Sequence, residues 1–226
     1  MVVLPATTAA PLLLTARLRL VAADEKLAAA LADFHVRNQA HLAPWDPPAP
    51  ADALTEAAQA QRLHESASAF AAGTAYRYLL QPIGDITRVI GTVQFSNIAR
   101  GPYQSCSLGY ALDQALEGQA FMTEALRSAI AEVFSPRVNL HRIQAAFRPE
   151  NWRSAEVLKR LGFHEEDVCP DDLFIDGQWR VHQLVALLNK ASSRRRSGTP
   201  NAEPARPNAE FSGLADFDAS AAVAAN

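Results

Sequence analysis

The amino-acid sequence predicts one α/β domain in which a mostly antiparallel sheet is flanked by helices. Short segments with strand-like alternation follow one another in the middle of the chain, which is typical of antiparallel meanders. The stretch from Phe121 carries one broad apolar stripe at helical spacing, as a helix that covers a sheet does. The chain has 226 residues, 49% of them hydrophobic, enough for one sizeable core.

The first third of the chain predicts a strand and two helices. Residues 15–21 alternate leucine with arginine and favour a half-buried strand. Residues 24–39 are rich in alanine and leucine and favour a helix. The prolines between positions 44 and 50 end that helix and place Trp45 on a stiff loop. A second helix is expected over residues 51–70.

The middle of the chain predicts three strands and the long amphipathic helix. Residues 76–80, 89–95 and 107–112 favour strands, and a turn-rich segment joins the first two. The helix that follows is defined by apolar residues at helical spacing, namely Phe121, Met122, Ala125, Leu126, Ala129, Ile130, Val133 and Phe134.

The last elements are a strand over residues 140–147, a short helix over 154–161 ended by Gly162, and a final hairpin. Its turn is predicted at Asp176 and Gly177, and its last strand runs to Leu188.

Three segments are expected along the chain. Residues 1–13 form a leader, residues 14–189 form the folded domain, and residues 190–226 form a disordered tail rich in Pro, Ala, Asn and Ser. The Arg194–Arg196 run in that tail either contacts RNA or is simply solvated.

Composition excludes several classes of protein. The net charge of −3 gives no global basic field, which argues against a general nucleic-acid coat protein. Cys106 and Cys169 lack the spacing and the His partners of a metal site or disulfide framework. No signal peptide or membrane span is recognisable, so we expect a cytoplasmic protein with no metal and no membrane partner.

One segment has the features of an anion site. In LGYALDQALEGQAFMTEAL, a strand ending near Leu112 leads through a small-residue loop around Gly118 into the amphipathic helix. Free backbone N–H groups and the helix dipole favour a phosphate at such a helix start. Taken alone, the segment is equally compatible with an ordinary strand-to-helix connection.

A second segment, FRPENWRSAEVLKRLGF, distinguishes these interpretations. Together the two segments resemble the GCN5-related N-acetyltransferase (GNAT) superfamily, whose loop follows Q/R-x-x-G-x-G/A and whose later signature reads P-x-N-x-x-S before LGF. Dispersed similarity narrows the resemblance to the RimJ type of ribosomal-protein-alanine N-acetyltransferase. It lies in SNIARGPYQSCSLGYALD, LHRIQAAFRPENWRSAEVLKRLGF, DDLFIDGQWRVHQLVALL and NQAHLAPWDPP and covers roughly residues 14–188.

The resemblance implies a splayed central sheet, acetyl-CoA as the acetyl donor, and roles for individual residues. Leu112 and the nearby strand backbone would hold the pantetheine arm, and Asn151 would bond the cofactor near its reactive end. Ser154 would give a hydrogen bond or proton to the departing thiolate, although Asn and Ser are also common helix caps. The loop N–H groups facing the pyrophosphate would be those of Gly118, Gln119, Ala120, Phe121 and Met122.

On the acceptor side, the resemblance implies the N-terminal α-amine of a ribosomal protein that begins with alanine, with small-subunit protein S5 as the expected substrate. Trp45 and Tyr110 are candidate aromatics of the substrate groove, although large aromatics more often anchor a core. Whether the chain is a monomer or a dimer stays open, as does the identity of the general base.

Three positions depart from the family pattern. Ala115 replaces the usual Gln or Arg, Ala120 replaces the glycine of close relatives, and Ser107 stands where some members carry a strand Glu. Two alternatives follow. One is a small-molecule amine N-acetyltransferase of the same fold, and the other is a non-catalytic ribosome assembly protein.

Overall fold

The computed structural model describes residues 11–48, 50, 52–175 and 177–193. Within these ranges, eight strands form one sheet in the order β1-β2-β3-β4-β5-β6-β8-β7. The strands are β1 (Leu13–Leu14), β2 (Leu18–Ala22), β3 (Tyr76–Pro82), β4 (Gly91–Ala99), β5 (Ser105–Leu112), β6 (Arg142–Phe147), β7 (His164–Ile175) and β8 (Gln178–Leu188). The helices are α1 (Ala28–Leu42), α2 (Glu56–Ala72), α3 (Phe121–Val133), α4 (Trp152–Arg160) and the single turn α5 (Lys190–Ser193), with 3-10 turns at Glu25–Leu27 and Gln114–Leu116.

The sheet is antiparallel except between its two central strands. β5 and β6 run parallel and pair only from Ser105 with Arg142 to Leu108 with Ala145. Beyond this point β5 stays with β4 as far as Leu112, whereas β6 stays with β8 as far as Phe147. The two strands therefore part and leave a gap in the sheet, which confirms the predicted mostly antiparallel, splayed α/β fold.

The helices cover the two faces of this sheet unequally. Alternate residues of β5, from Cys106 to Leu112, join α3 and α4 in the larger core cluster. Ala111, on the other face, belongs to a smaller cluster built with α1 and α2. Because the smaller cluster ends at β5, the face of β6 and β8 away from α3 and α4 stays partly open.

Two helices and one strand begin at other residues than the sequence predicts, and in the helices a capping side chain sets the first residue. The second helix begins at Glu56 rather than near residue 51, because the Thr55 side chain accepts a hydrogen bond from Ala58 N at 3.2 Å. The fourth helix begins at Trp152, two residues early, because Asn151 caps it. The first long strand begins at Leu18 rather than Thr15, and the short β1 precedes it.

The chain ends lie largely outside the described residues, namely 1–10 and 194–226, which include Arg194–Arg196 and most of the predicted leader and tail. Leu13 already belongs to β1, and Lys190 begins α5. Asp176 of the predicted hairpin turn is also outside, whereas Gly177 has the expected positive φ of 72°. In the described part of the chain, no helix has the length and apolarity to cross a membrane.

Gly91 provides a test of how tightly β4 and β5 pack next to the gap. A Cβ at Gly91 would lie 2.6 Å from the Ala111 carbonyl oxygen and 3.0 Å from Leu80 Cδ1. We expect Gly91→Ala to lower the free energy of unfolding by about 1–3 kcal/mol, since the neighbouring backbone must move. Gly84→Ala is the matched control, because nothing lies within 4 Å of its added Cβ. Urea unfolding of both variants measures the difference, and equal midpoints would contradict the packing argument.

Candidate active site

A pocket lies between the start of α3 and the exposed side of α4, and we call it the α3–α4 pocket. The residues that line it are Leu112, Gly118, Ala120, Phe121, Met122, Thr123, Trp152, Arg153, Glu156, Val157 and Arg160. The two segments singled out in the sequence therefore form opposite walls of one cavity. Gln119 and Asn151 are adjacent in sequence to lining residues but are not among them.

The start of α3 is built as an anion site. Gly118 and Ala120 both have left-handed backbone, with φ of 71° and 62°. No side chain caps the helix at Ala120. Free N–H groups of the first turn and the positive end of the dipole of this 13-residue helix thus face the pocket together. An added Cβ at Gly118 would meet nothing within 4 Å, so the loop backbone is open to a ligand.

The first turn of α3 is held from outside by the turn before β2. Glu124 accepts hydrogen bonds from the Thr15 hydroxyl at 2.6 Å and from Arg17 Nε at 2.7 Å. Arg17 also donates to the Gln119 carbonyl oxygen and lies 4.0 Å from the centroid of the Phe121 ring. These contacts fix the loop without occupying the N–H groups that face the pocket.

Glu117 joins three elements beside the pocket. Its carboxylate lies 3.3 Å from His41 Nε2, in the last turn of α1, and 3.2 Å from Arg153 Nε, in the first turn of α4. All three side chains are distant in sequence, and Glu117 is largely buried. The carboxylate therefore fixes the loop relative to α4, the opposite wall.

Asp113 anchors the other end of the same loop. This buried carboxylate pairs with Arg37 of α1 and, at 2.8 Å, with Arg88 before β4, and it accepts a hydrogen bond from Ala115 N. Burial alone would raise the pKa of Asp113, but the hydrogen bonds from the two arginines outweigh it and lower the pKa. The carboxylate is consequently ionised at neutral pH.

Asn151 and Ser154 have different local roles. Asn151 Oδ1 accepts from Ser154 N at 3.1 Å, so this side chain is the N-cap of α4. The Ser154 hydroxyl is not used as a cap. Its Oγ lies 2.6 Å from the hydroxyl oxygen of Tyr110, and both side chains are buried.

Tyr110 was expected in a substrate groove, but the structure places it elsewhere. Its side chain is 3% exposed and belongs to the larger core cluster, on the face covered by α3 and α4. In the structure Tyr110 thus serves as a core residue, and its role as a groove aromatic stays a prediction. Burial raises the pKa of its hydroxyl well above the usual value, so Tyr110 stays protonated beside Ser154.

A second depression lies on the opposite face of the sheet, beside the gap, and we call it the β6–β8 groove. Ser107 and Gln144 alternate with core residues of β5 and β6 and so face away from α3 and α4. The full lining is Asn97, Ser107, Leu108, Gln144, Ala145, Ala146, Asp172, Leu173 and Leu184. The two depressions thus approach the parted strands from opposite sides.

The Pro-Trp loop, residues 43–48, lies at the end of β6. Arg148 Nη1 donates to the Pro44 carbonyl oxygen at 2.6 Å, and its guanidinium carbon lies 5.4 Å from the Trp45 ring centroid. Trp45 is partly buried against the smaller core cluster and is not among the residues that line the groove. Desolvation raises the pKa of the neighbouring Asp46 to about 7.

The described residues include neither an activated Cys106 thiolate nor a cluster of metal ligands. Burial raises the pKa of the Cys106 thiol to about 12, so it is not a thiolate at neutral pH. Among the residues described, no group of three or more His, Cys, Asp or Glu side chains is arranged to hold a metal ion.

Comparison with known proteins identifies the family of this chain. The family model described as "Acetyltransferase (GNAT) domain" matches residues 17–164, which include β4, β5, the loop and both walls of the α3–α4 pocket. The chain belongs to this GNAT family. It is accordingly an N-acetyltransferase.

Three relatives illustrate the relationship. The [ribosomal protein uS5]-alanine N-acetyltransferase of Escherichia coli is 38% identical over 163 residues, covering 70% of this chain and 80% of the relative. The structure of ribosomal-protein-S5-alanine acetyltransferase from Vibrio fischeri matches with a TM-score of 0.76 and 31% identity, over 80% of this chain and 98% of that one. Mycobacterium smegmatis RimJ in complex with CoA-disulfide matches with a TM-score of 0.71 and 28% identity, over 77% and 83%.

The sequence alone did not identify the ionic contacts that hold the site. His41, Arg153 and Glu117 carry no shared motif, and the same is true of Arg37, Arg88 and Asp113. The one indication in the sequence was that the loop before α3 carries an acidic residue at each end of the segment DQALE, residues 113–117. Asp172 in the groove was missed as well, because it lies in an irregular part of β7.

The left-handed Ala120 gives a prediction about the loop. A non-glycine residue in this conformation costs on the order of 1 kcal/mol, so Ala120→Gly should unfold at the same or a slightly higher temperature despite the greater freedom of glycine. Ala115→Gly is the control, because Ala115 lies in a 3-10 turn with ordinary backbone. It should lose about 0.5–1 kcal/mol. Thermal unfolding of both variants is the measurement, and equal losses would contradict the assigned strain.

Proposed function

We propose that the chain transfers the acetyl group of acetyl-CoA to the N-terminal α-amine of a ribosomal protein, with the alanine end of small-subunit protein S5 as the expected acceptor. The observation that carries the proposal is the convergence of the uncapped α3 start and the α4 wall on one pocket. The relatives named for uS5-alanine and S5-alanine acetylation support the acceptor class.

The residues of the α3–α4 pocket fit an acetyl-CoA molecule. Its pyrophosphate matches the free N–H groups from Gly118 to Met122, as anions match helix N-termini generally. Arg153 and Arg160 also line the pocket, each beside a carboxylate, Glu117 and Glu156 respectively. The pantetheine arm would follow Leu112 toward the gap, where β5 has left its pairing with β6. Bound there, acetyl-CoA supplies an activated acetyl thioester.

The parting of β5 and β6 supports direct transfer between the two faces. An acceptor amine entering from the β6–β8 groove reaches the same gap that the thioester reaches from the α3–α4 pocket. An α-amine has a pKa of about 8, so an appreciable neutral fraction exists near neutral pH and can attack without a strong base. The neutral nitrogen forms the N–C bond as the C–S bond breaks, so no acyl-enzyme is required.

Ser154 is the proposed proton donor to the departing thiolate. Its hydroxyl is fully buried behind the α4 residues that line the pocket and lies 2.6 Å from the hydroxyl oxygen of the protonated Tyr110. The protonated Tyr110 hydroxyl orients the serine oxygen. The nitrogen loses its second proton to water as the amide forms, which balances the proton that the thiolate takes up. Asn151 caps α4 and thereby fixes the position of Ser154 in the first turn of the helix.

The assay for this function uses purified protein, acetyl-CoA and N-terminal peptides. We expect CoA release and a mass gain of one acetyl group on the S5 peptide. Slower turnover is expected on a serine-starting L7/L12 peptide and on a panel of small amines. Preferred acetylation of a small amine would instead support the small-molecule alternative. Lack of turnover on every N-terminal peptide would show the proposed acceptor to be wrong.

Replacement of Ser154 tests the chemical step. Ser154→Ala should lower kcat by roughly 10²-fold or more, the range of general acid catalysis, while the KM for acetyl-CoA changes little. Tyr110→Phe keeps the buried ring and should lower kcat less. Ser135→Ala provides a control, because the half-buried Ser135 hydroxyl accepts a hydrogen bond from Arg137 N just after α3 and does not line the α3–α4 pocket. A kcat unchanged in Ser154→Ala would remove Ser154 from the mechanism.

A further inference from the structure

The β6–β8 groove has one charged side chain. Its lining otherwise consists of amide, hydroxyl and alkyl groups, and Asp172 alone carries a charge among the described residues that line it. The side chain of Asp172 is 32% exposed, which leaves its carboxylate accessible from the groove. A single carboxylate in otherwise neutral surroundings selects for a cation that can donate hydrogen bonds.

An irregularity in β7 places this carboxylate. After a first register shift between Glu165 and Asp167, β7 and β8 pair as far as Cys169 with His182, and pairing resumes at Leu173 with Arg180. Residues 170–172 therefore stand opposite the single residue Val181. Asp171 has a φ of 51°, a conformation that Asn and Asp tolerate better than most residues. Bulges of this kind often redirect a side chain beside an active site, and here Asp172 comes to line the groove.

A buried histidine lies behind the carboxylate. His182 Nδ1 is 3.4 Å from Asp172 Oδ2 and 3.2 Å from the Arg180 carbonyl oxygen, and its side chain has no exposed surface. Burial is the main cause that lowers the pKa of His182, so the ring is neutral at neutral pH. A neutral ring can orient Asp172 from behind without cancelling its negative charge.

We propose that Asp172 binds the protonated α-amino group of the acceptor polypeptide, and that His182 positions the Asp172 carboxylate for this contact. The inference rests on the proposed function and adds the residue that recognises the acceptor. With a pKa of about 8, an N-terminal amine arrives at neutral pH mainly as an ammonium ion. The groove must therefore first hold a cation, which afterwards releases one proton to water and attacks as the neutral amine.

The contact also predicts a preference for an unmodified N-terminus. An ammonium group can donate three hydrogen bonds and carries a full positive charge. A chain whose α-nitrogen is already acylated offers one N–H and no charge. The Asp172 carboxylate therefore favours the substrate over the product, which helps product release.

The test compares two neutralising substitutions on adjacent residues. Asp172→Asn should raise the KM for an S5 N-terminal peptide by roughly 10- to 100-fold, the value of a charge-assisted hydrogen bond, with the KM for acetyl-CoA within about twofold. Asp171→Asn makes the same change in net charge one residue away, on an exposed side chain outside the groove lining. It should leave both KM values unchanged.

A des-amino version of the same peptide separates charge recognition from groove shape. Without the ammonium group, it should bind wild type and Asp172→Asn with equal affinity in calorimetry. If wild type acetylates the peptide and Asp172→Asn has an unchanged peptide KM, the inference is wrong while the proposed function stands. Equal weakening of the des-amino peptide by Asp172→Asn would also overturn it. If the wild-type protein acetylates no N-terminal peptide, the proposed function is wrong. If that protein also binds the peptide with its amino group and the des-amino peptide equally well, the inference is wrong too.

The role of His182 has its own readout. His182→Phe keeps the ring and removes both nitrogens, so the peptide KM should rise while the KM for acetyl-CoA stays constant. His182→Asn keeps a donor near Nδ1 and should restore most of the affinity. In the Asp172→Asn background, His182→Phe should add little, because the two residues act on one contact. Additive effects of the two substitutions would contradict a positioning role.

Discussion

The separation of β5 and β6 is the constraint on which the rest of the site depends. The two strands are parallel neighbours for only four residue pairs before their other partners draw them apart. Leu112 at the end of β5 lines the α3–α4 pocket, whereas Ser107 of β5 and Gln144 of β6 line the β6–β8 groove. In the proposed reaction the two substrates would approach the parted strands from these two cavities, whose linings share no residue.

Ion pairs and one histidine–carboxylate contact hold the loop before α3. Asp113 ties one end of the loop before α3 to Arg37 and Arg88, while Glu117 ties the other end to His41 and Arg153. The loop itself is left with an uncapped helix start and left-handed residues, conformations that cost free energy on their own. The ionic contacts offset that cost, so the N–H groups stay oriented before any ligand arrives.

Much of the fold could be predicted from the sequence because its periodicity is strong. The apolar stripe of α3 and the alternation in β3 to β6 gave the right elements. Gly118 and the α4 residues that follow Asn151 line one pocket, whereas Asn151 itself is not among the lining residues. Tyr110 shows the limit, since alternation along a strand does not tell which face is the core until the helices are placed. Asp172 and the partners of Glu117 were missed because a bulge and long-range ion pairs leave no periodic signal.

The hydrogen bonds between residues 15–17 and Glu124 have a consequence for folding during synthesis. The bonded residues are more than 100 positions apart, so residues 15–17 leave the ribosome long before Glu124 is made. The turn before β2 therefore lacks this partner until α3 emerges. Catalytic competence is thus acquired late in synthesis, and a nascent chain arrested before α3 has no nucleotide site to stabilise it.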